Sequence, residues 1–379
     1  MKRIRKYKNI ESLENMPKET IIDTDIGKDE VGLPPVIIHE TLDHLPLSET
    51  YPGFLQHRGD FQKLKTVTNN GKGVKVGVGD TGVDKTHLDG DLAGVVEAKD
   101  FTGSRYGYYD RNAHGSHTTG HISGRGNGQG IEGLASDCEV YHAKVLGDSG
   151  SGSTRGIANG IRWMVDQGCQ IINLSLGGGF SHEIEGACRE AAEQGVMVMA
   201  SMGNSGTRGS GHPGNSRYTF GICAIDYNKR IANFSSRGES AKYSGYGVRV
   251  LSCGLNGRYT RMSGTSMAAP DVTGITTLYY SYRIKNNLAL PQTMEDLEGL
   301  FRPAVEDLGS PGHDIEYGLG VVDIWELLNK TNPEQLLFSL ITTEEQLFIQ
   351  SNDSDAVPAT LTVGDKTFET KMKPLIPKS

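Results

Sequence analysis

The chain has 379 residues, 36% of them hydrophobic and 22% charged, with a formal charge of −8. That is the make-up of a soluble protein able to bury a substantial core as one large domain with appendages. The acidic balance argues against nucleic acid or an anionic membrane as the main partner, since either calls for a basic surface, and no stretch reaches the ~20 apolar residues needed to span a bilayer.

Residues 1–55 are polar and charged at first and then marked by Pro34, Pro35, Pro46 and Pro52, as in an N-terminal extension with little core of its own. The basic start runs into Glu11 and Glu14 without an apolar h-region, so no classical secretory signal is read and a cytoplasmic location is expected. The cysteines, Cys138, Cys169, Cys188, Cys223 and Cys253, are widely spaced and form no C-x-x-C pair. They are expected to be small buried residues in a reducing compartment.

From Lys72 the character changes. Lys75 to Asp80 alternates small and apolar residues and ends in a turn, as a buried strand does, and similar runs follow at Glu139 to Leu146, Gln170 to Leu176, Val196 to Ala200 and Phe220 to Ile225. Between them, Gly156 to Gln167 and Ile184 to Gln194 carry apolar residues at helical spacing, and each stops at a glycine, Gly168 and Gly195. A longer helix is expected from Ser266 past Tyr279. Strands alternating with helices of this length predict crossover units and a parallel sheet covered on both faces, an α/β three-layer sandwich. The main domain is expected over 56–332. Alternation in Ala359 to Val363 and Thr367 to Thr370, around Gly364-Asp365, predicts a small β-rich appendage over 333–379.

Three segments carry chemistry when taken together. Asp80-Thr81-Gly82 ends a buried strand, where functional groups collect in open α/β sheets. His114-Gly115-Ser116-His117 follows a glycine- and tyrosine-rich loop, and Gly264-Thr265-Ser266-Met267-Ala268-Ala269-Pro270 joins a turn to a helix. A serine hydroxyl is a poor nucleophile by itself. It needs a histidine to take its proton and a carboxylate to hold the imidazole.

These segments, in the order Asp, His, Ser, resemble the subtilisin-like serine proteases, the subtilase family, from roughly Lys72 to Lys330. The resemblance extends to Asn173 to Gly178, Ser201 to Asn204, Gly150-Ser151-Gly152, Phe234 to Gly238 and Gly318 to Asp323. It implies a serine endopeptidase in which Asp80 orients His114, His114 is general base and then acid, and Ser266 attacks the scissile carbonyl. Asn204 and the Ser266 N–H would hold the oxyanion. Protein or peptide substrates would pair in extended form with the edge Gly150-Ser151-Gly152, and Ser175, Leu176 and Gly177 would line one side of the primary specificity pocket. Gly211 would form the floor of the primary pocket, with an apolar-tolerant preference. The same resemblance implies a structural calcium ion at Asp89 and Asn127 and no organic cofactor. With no signal read, the chain is similar to the family's intracellular members, and residues 1–55 are expected to lie near the cleft as a brake that is trimmed on activation. Departures from the family pattern fall at Ser116, at Asp271 and in His117-Thr118-Thr119-Gly120.

Other readings of the same residues fail on chemistry. An aspartic peptidase needs two carboxylates sharing a proton, and no second Asp-Thr-Gly exists. Gly77 to Gly82 fits G-x-G-x-x-G, with Asp100 near the offset of a ribose acid, but Val83 to Asp91 is polar and turn-like where a dinucleotide site needs a helix. His114, His117 and His121 recur at helical spacing without an H-E-x-x-H motif. An inactive, peptide-binding homologue would lack a catalytic group, and none is lacking.

Overall fold

The structure is a computed structural model that describes residues 2–5, 20–23, 30–45, 59–126, 130–332, 357–363 and 366–372. In chain order the strands are β1 (Lys2–Arg5), β2 (Thr20–Asp23), β3 (Glu30–Gly32), β4 (Val36–Leu42), β5 (Lys75–Asp80), β6 (Val95–Asp100) and β7 (Glu139–Lys144). They continue with β8 (Ser151–Ser153), β9 (Ile171–Leu174), β10 (Gly177–Gly178), β11 (Met197–Ser201), β12 (Phe220–Ile225) and β13 (Ala241–Tyr246). The last are β14 (Val250–Cys253), β15 (Tyr259–Ser263), β16 (Val305–Glu306), β17 (Val321–Val322), β18 (Val357–Val363) and β19 (Lys366–Met372). The α-helices are α1 (Phe61–Thr68), α2 (His114–Ser123), α3 (Thr154–Asp166), α4 (His182–Glu193), α5 (Thr265–Lys285), α6 (Met294–Phe301) and α7 (Ile324–Thr331).

Seven strands form the central sheet in the order β13-β12-β11-β9-β5-β7-β6, every neighbouring pair parallel. Side-chain alternation sends each strand's residues to opposite faces. Val76, Val78, Ile171, Met197 and Met199 join a core with Val67 of α1, Ile122 of α2 and Ile275 and Leu278 of α5. Ile172, Val198 and Ala200 join a second core with Ile157, Ile161 and Met164 of α3 and Ile184 and Cys188 of α4. Each fully buried aliphatic side chain contributes about 1.5–3 kcal/mol, so these two faces hold the sandwich together. Gly77 lets α3 approach, because a Cβ there would lie 2.6 Å from Met164 Sδ. The layers and the parallel sheet agree with the α/β three-layer sandwich expected from the sequence.

The strand order reverses direction at β5. Strands β7 and β6 lie to one side of it, and β9 to β13 lie to the other. The crevice at the carboxyl end of such a reversal is where open α/β sheets place their sites, and Asp80 is the last residue of β5.

Some boundaries differ from the sequence reading for local reasons. Helix α3 begins at Thr154 because the Ser153 hydroxyl caps Gly156 N–H, and Ser181 caps α4 in the same way through Ile184 N–H. Strand β7 ends at Lys144, since the N–H groups of Val145 and Leu146 both turn to the Asp80 carbonyl. Strands β14 and β15 form a hairpin, and β4 adds to it as a third strand against β15. Near the C-terminus, β18 and β19 pair antiparallel.

Candidate active site

Asp80 and His114 meet at the carboxyl edge of the sheet. Both are buried, with His114 Nδ1 2.8 Å from Asp80 Oδ1 and 3.0 Å from Oδ2. Thr81 N–H and the Thr118 hydroxyl also donate to the Asp80 carboxylate, at 2.7 and 3.0 Å. Burial pushes the Asp80 carboxyl up, but the neighbouring His114 imidazole and these hydrogen bonds outweigh it, so its pKa lies below the ordinary value. A carboxylate that stays ionised fixes the imidazole with its proton on Nδ1. Nε2 is left to face the cleft, where it has no hydrogen-bond partner among the described residues.

A second carboxylate, not singled out in the sequence, sets the position of His114. Asp110 Oδ1 accepts from the Thr81 hydroxyl and from Asn112 and Ala113 N–H, while Oδ2 accepts from Ser116 N–H and its hydroxyl. It ties the residue after Asp80 to the first turn of α2. Ala113, just before His114, has φ 86°, a left-handed conformation unusual for alanine. The Asp110 network is what holds it there. Ser116, one of the departures from the family pattern, thus accepts from Asp84 N–H and donates to Asp110.

Ser266 lies in the first turn of α5 and is buried. It is bound to Ser175, the residue after β9. The Ser175 hydroxyl donates to the Ser266 carbonyl at 2.8 Å, and the Ser266 hydroxyl donates to the Ser175 carbonyl at 3.3 Å. Since Leu174 is in register with Gly79, Ser175 emerges beside Asp80. Asn204 follows the end of β11, and its Oδ1 accepts from both the N–H and the hydroxyl of Thr265, each at 2.8 Å. That fixes the amide orientation and leaves Nδ2 as a donor toward the cleft.

The cleft is filled by the chain's own N-terminal segment. Strand β3 runs antiparallel between β8 and β10, pairing Val31 with Gly152 and Gly178, and Gly32 with Ser151 and Gly177. Leu33 N–H continues the ladder to the Gly150 carbonyl at 2.9 Å. The Asn204 Nδ2 group donates to the Pro35 carbonyl at 2.7 Å. Val31, Leu33, Val36 and Ile38 are all buried, so the segment owns no core but contributes apolar side chains to those of the main domain. Thus Gly150, Ser151, Gly152 and Gly177, expected to hold an extended peptide, hold residues 31–33. Gly211 donates its N–H to the Met202 carbonyl, close to the backbone of Gly178.

Other residues in and around the site are placed as follows. His117 donates from Nε2 to the Val250 carbonyl at 3.0 Å, away from His114. Burial lowers its pKa to about 3, the Val250 hydrogen bond opposing this. His142 stands behind Asp80 on β7; burial lowers its pKa to about 4, and Asp80 opposes the shift. Asp271 accepts from Tyr246 N–H at 3.0 Å. Asp89 is exposed on a turn, and Asn127 lies outside the described residues. Asp91, two residues on, is buried between Arg125 and Gly130. Its carbonyl accepts from Arg125 N–H, and its Oδ1 would lie 1.6 Å from a Cβ on Gly130. A carboxylate packed against a backbone supplies the hard oxygen donors that calcium takes, and Asp91 offers one beside Gly130 while Asp89 lies exposed on its turn.

The imidazole held by a buried carboxylate, the serine in the first turn of α5 and the amide fixed by the residue before it are the groups that a serine hydrolase combines. The description "Subtilase family" matches residues 71–320, and the chain belongs to that family. It is 38% identical over 224 residues to subtilisin DY of Bacillus licheniformis, a match covering 58% of this chain and 81% of that protein. It is 37% identical over 212 residues to a thermostable alkaline protease of Halalkalibacterium halodurans, covering 56% of this chain and 58% of that protein. With subtilisin Savinase of Lederbergia lenta it shares 38% identity over 209 residues, covering 55% of this chain and 76% of that protein.

Proposed function

We propose that the whole chain is a serine endopeptidase that hydrolyses peptide bonds in proteins through an acyl-enzyme, and that its N-terminal segment restrains it. The observation that carries the reading is Asn204 Nδ2, fixed by the residue before Ser266, donating to a peptide carbonyl of the segment that follows β3 in the cleft, on a chain that also pairs Asp80 with His114. In the reaction His114 Nε2 takes the proton of Ser266 Oγ as it attacks the substrate carbonyl. Asp80 stabilises the imidazolium, and His114 returns the proton to the leaving amine. Asn204 Nδ2 and Ser266 N–H bind the oxyanion. Water then deacylates the enzyme by the same proton route.

The resting arrangement supports restraint. The β3–β10 register, carried on, sets Pro34 opposite Ser175; proline has no N–H to donate to the Ser175 carbonyl, and the Ser266 hydroxyl donates there instead of to His114. The carbonyl at Asn204 belongs to Pro35, two residues past Leu33 in the ladder. A calcium ion at Asp91 is part of the proposal, as a structural cation. The test is labelling with a fluorophosphonate, which reacts with a serine activated by its histidine. The full chain should label slowly on Ser266. Leu33→Asp, which puts a charge where Leu33 is buried, should label much faster, and His114→Ala should not label. Equal rates in the full chain and Leu33→Asp would remove the brake, and no adduct in either would remove the peptidase reading.

A further inference from the structure

The turn after Asp80 and the hairpin before Ser266 meet at a buried group that the peptidase chemistry does not use. His87, Asp91 and Cys253 lie with their ligand atoms within 4.8 Å of one another, all buried. His87 Nε2 is 2.9 Å from the Arg258 carbonyl. A carbonyl only accepts, so Nε2 carries the proton and the Nδ1 lone pair of a neutral ring points the other way. It points at Asp91 Oδ2, 3.3 Å away, which also accepts from the Tyr259 hydroxyl at 2.9 Å. Two acceptors face each other there unless a cation lies between them.

A proton on Nδ1 is one such cation and a metal ion is another; Cys253, which packs with Val83, Leu92, Ile131 and Leu251, brings a third donor to the same place. The thiol borders the same space, beside α2, where a Cβ on Gly120 would come within 2.7 Å of Sγ. Nitrogen, carboxylate oxygen and sulfur together form the donor set of a thiophilic divalent ion such as zinc. A histidine ligand whose other N–H is anchored on a backbone carbonyl is the usual supporting arrangement for such an ion. With Zn–ligand bonds of about 2.0–2.3 Å, tetrahedral ligands stand roughly 3.3–3.8 Å apart, so small side-chain rotations close the set.

We propose that His87, Asp91 and Cys253 form a binding site for a zinc-class cation, with Tyr259 beside it. The ion would join the 84–91 turn to the β14–β15 hairpin, the two segments that lead from Asp80 and into Ser266. This is distinct from a calcium ion on the loop side of Asp91, since the two carboxylate oxygens face different neighbours. It does not depend on peptidase activity.

The test uses the full chain carrying Ser266→Ala, which prevents autolysis, stripped with a chelator and titrated with Cd²⁺. One equivalent should produce thiolate-to-metal charge-transfer absorption, Zn²⁺ should abolish it by competition, and Zn²⁺ should raise Tm. Cys253→Ser, added to that chain and shown folded by near-ultraviolet circular dichroism, should lose the absorption, and His87→Gln should weaken Cd²⁺ binding at least tenfold. Absorption that persists in Cys253→Ser, that is displaced by excess Ca²⁺, or that never appears in the Ser266→Ala chain overturns the site. Should Cys253→Ser fail to fold, His87→Gln decides, and unchanged affinity there overturns it equally.

Discussion

Asn204 donates its side-chain amide to the main-chain carbonyl of Pro35 at 2.7 Å, while Thr265 holds the other end of the same amide through two hydrogen bonds. One side chain therefore serves two ends. It is oriented by the residue before Ser266, and it grips a carbonyl that the chain itself supplies. In the proposed oxyanion role the same amide would bind a developing negative charge more strongly than this neutral carbonyl.

Removing that amide separates the two roles. In a chain freed of its segment by Leu33→Asp, Asn204→Ala should lower kcat by about 10²–10³ with KM nearly unchanged, the range known for loss of the oxyanion-hole asparagine in a subtilisin, a member of the same family. Steady-state kinetics on a peptide substrate checks this. A large rise in KM at constant kcat would show that Asn204 binds the ground state only.

The two prolines should be what makes the bound segment a poor substrate. Pro34→Ala restores an N–H able to donate to the Ser175 carbonyl, which would return the Ser266 hydroxyl to His114. The variant should cut itself between residues 33 and 36, and adding Ser266→Ala should stop it. Mass spectrometry of the incubated chain detects the cut. A variant that stays intact as long as the parent would place the protection elsewhere.

Calcium should act through Asp91. Asp91→Asn should reduce the rise in Tm that added calcium gives a Ser266→Ala chain, whereas Asp89→Asn should leave it intact, since Asp89 is exposed and Asp91 is buried against Gly130. Thermal unfolding with and without calcium compares the two. The reverse pattern would restore Asp89 as the ligand.

The contrast between Asp80 and Asp110 shows where the sequence could be read and where it could not. Periodicity exposed the strands and helices of the central sheet because each buries a face, and Val76 and Val78 against Gly77 and Gly79 record the two faces directly. Asp80, His114, Ser266 and Asn204 stood out because their neighbours form local motifs. Asp110 and Asp91 sit in irregular turns, and their importance comes from groups distant in sequence that fold onto them, such as Thr81, Gly130 and Tyr259. Strand β3 was illegible for the same reason. Its three residues gain their conformation from β8 and β10, not from any pattern of their own.

Acid should destabilise the protein well above the carboxylate range. His117 and His142 are fully buried, and burial lowers their pKa values to about 3 and about 4 from an ordinary 6.5. Between those values and 6.5 the unfolded chain binds protons that the folded chain does not, so stability rises with pH across that window and is lost as pH falls. Two shifts of this size amount to several kcal/mol, on the order of half the stability of a typical domain. Asp80, held below its ordinary value of 3.8, adds a loss in the same direction only at lower pH. His87, shifted upward, acts oppositely, its contribution being complete below 6.5 and lost as pH rises through its folded value. Thermal unfolding of the Ser266→Ala chain should therefore show Tm falling steadily from pH 6.5 to 4.5. His142→Asn, which can still donate toward the Thr119 hydroxyl that His142 Nδ1 reaches at 3.1 Å, should flatten that slope. An unchanged slope in the variant would mean that His142 takes up its proton without cost in the folded state, and that water reaches the back of β7.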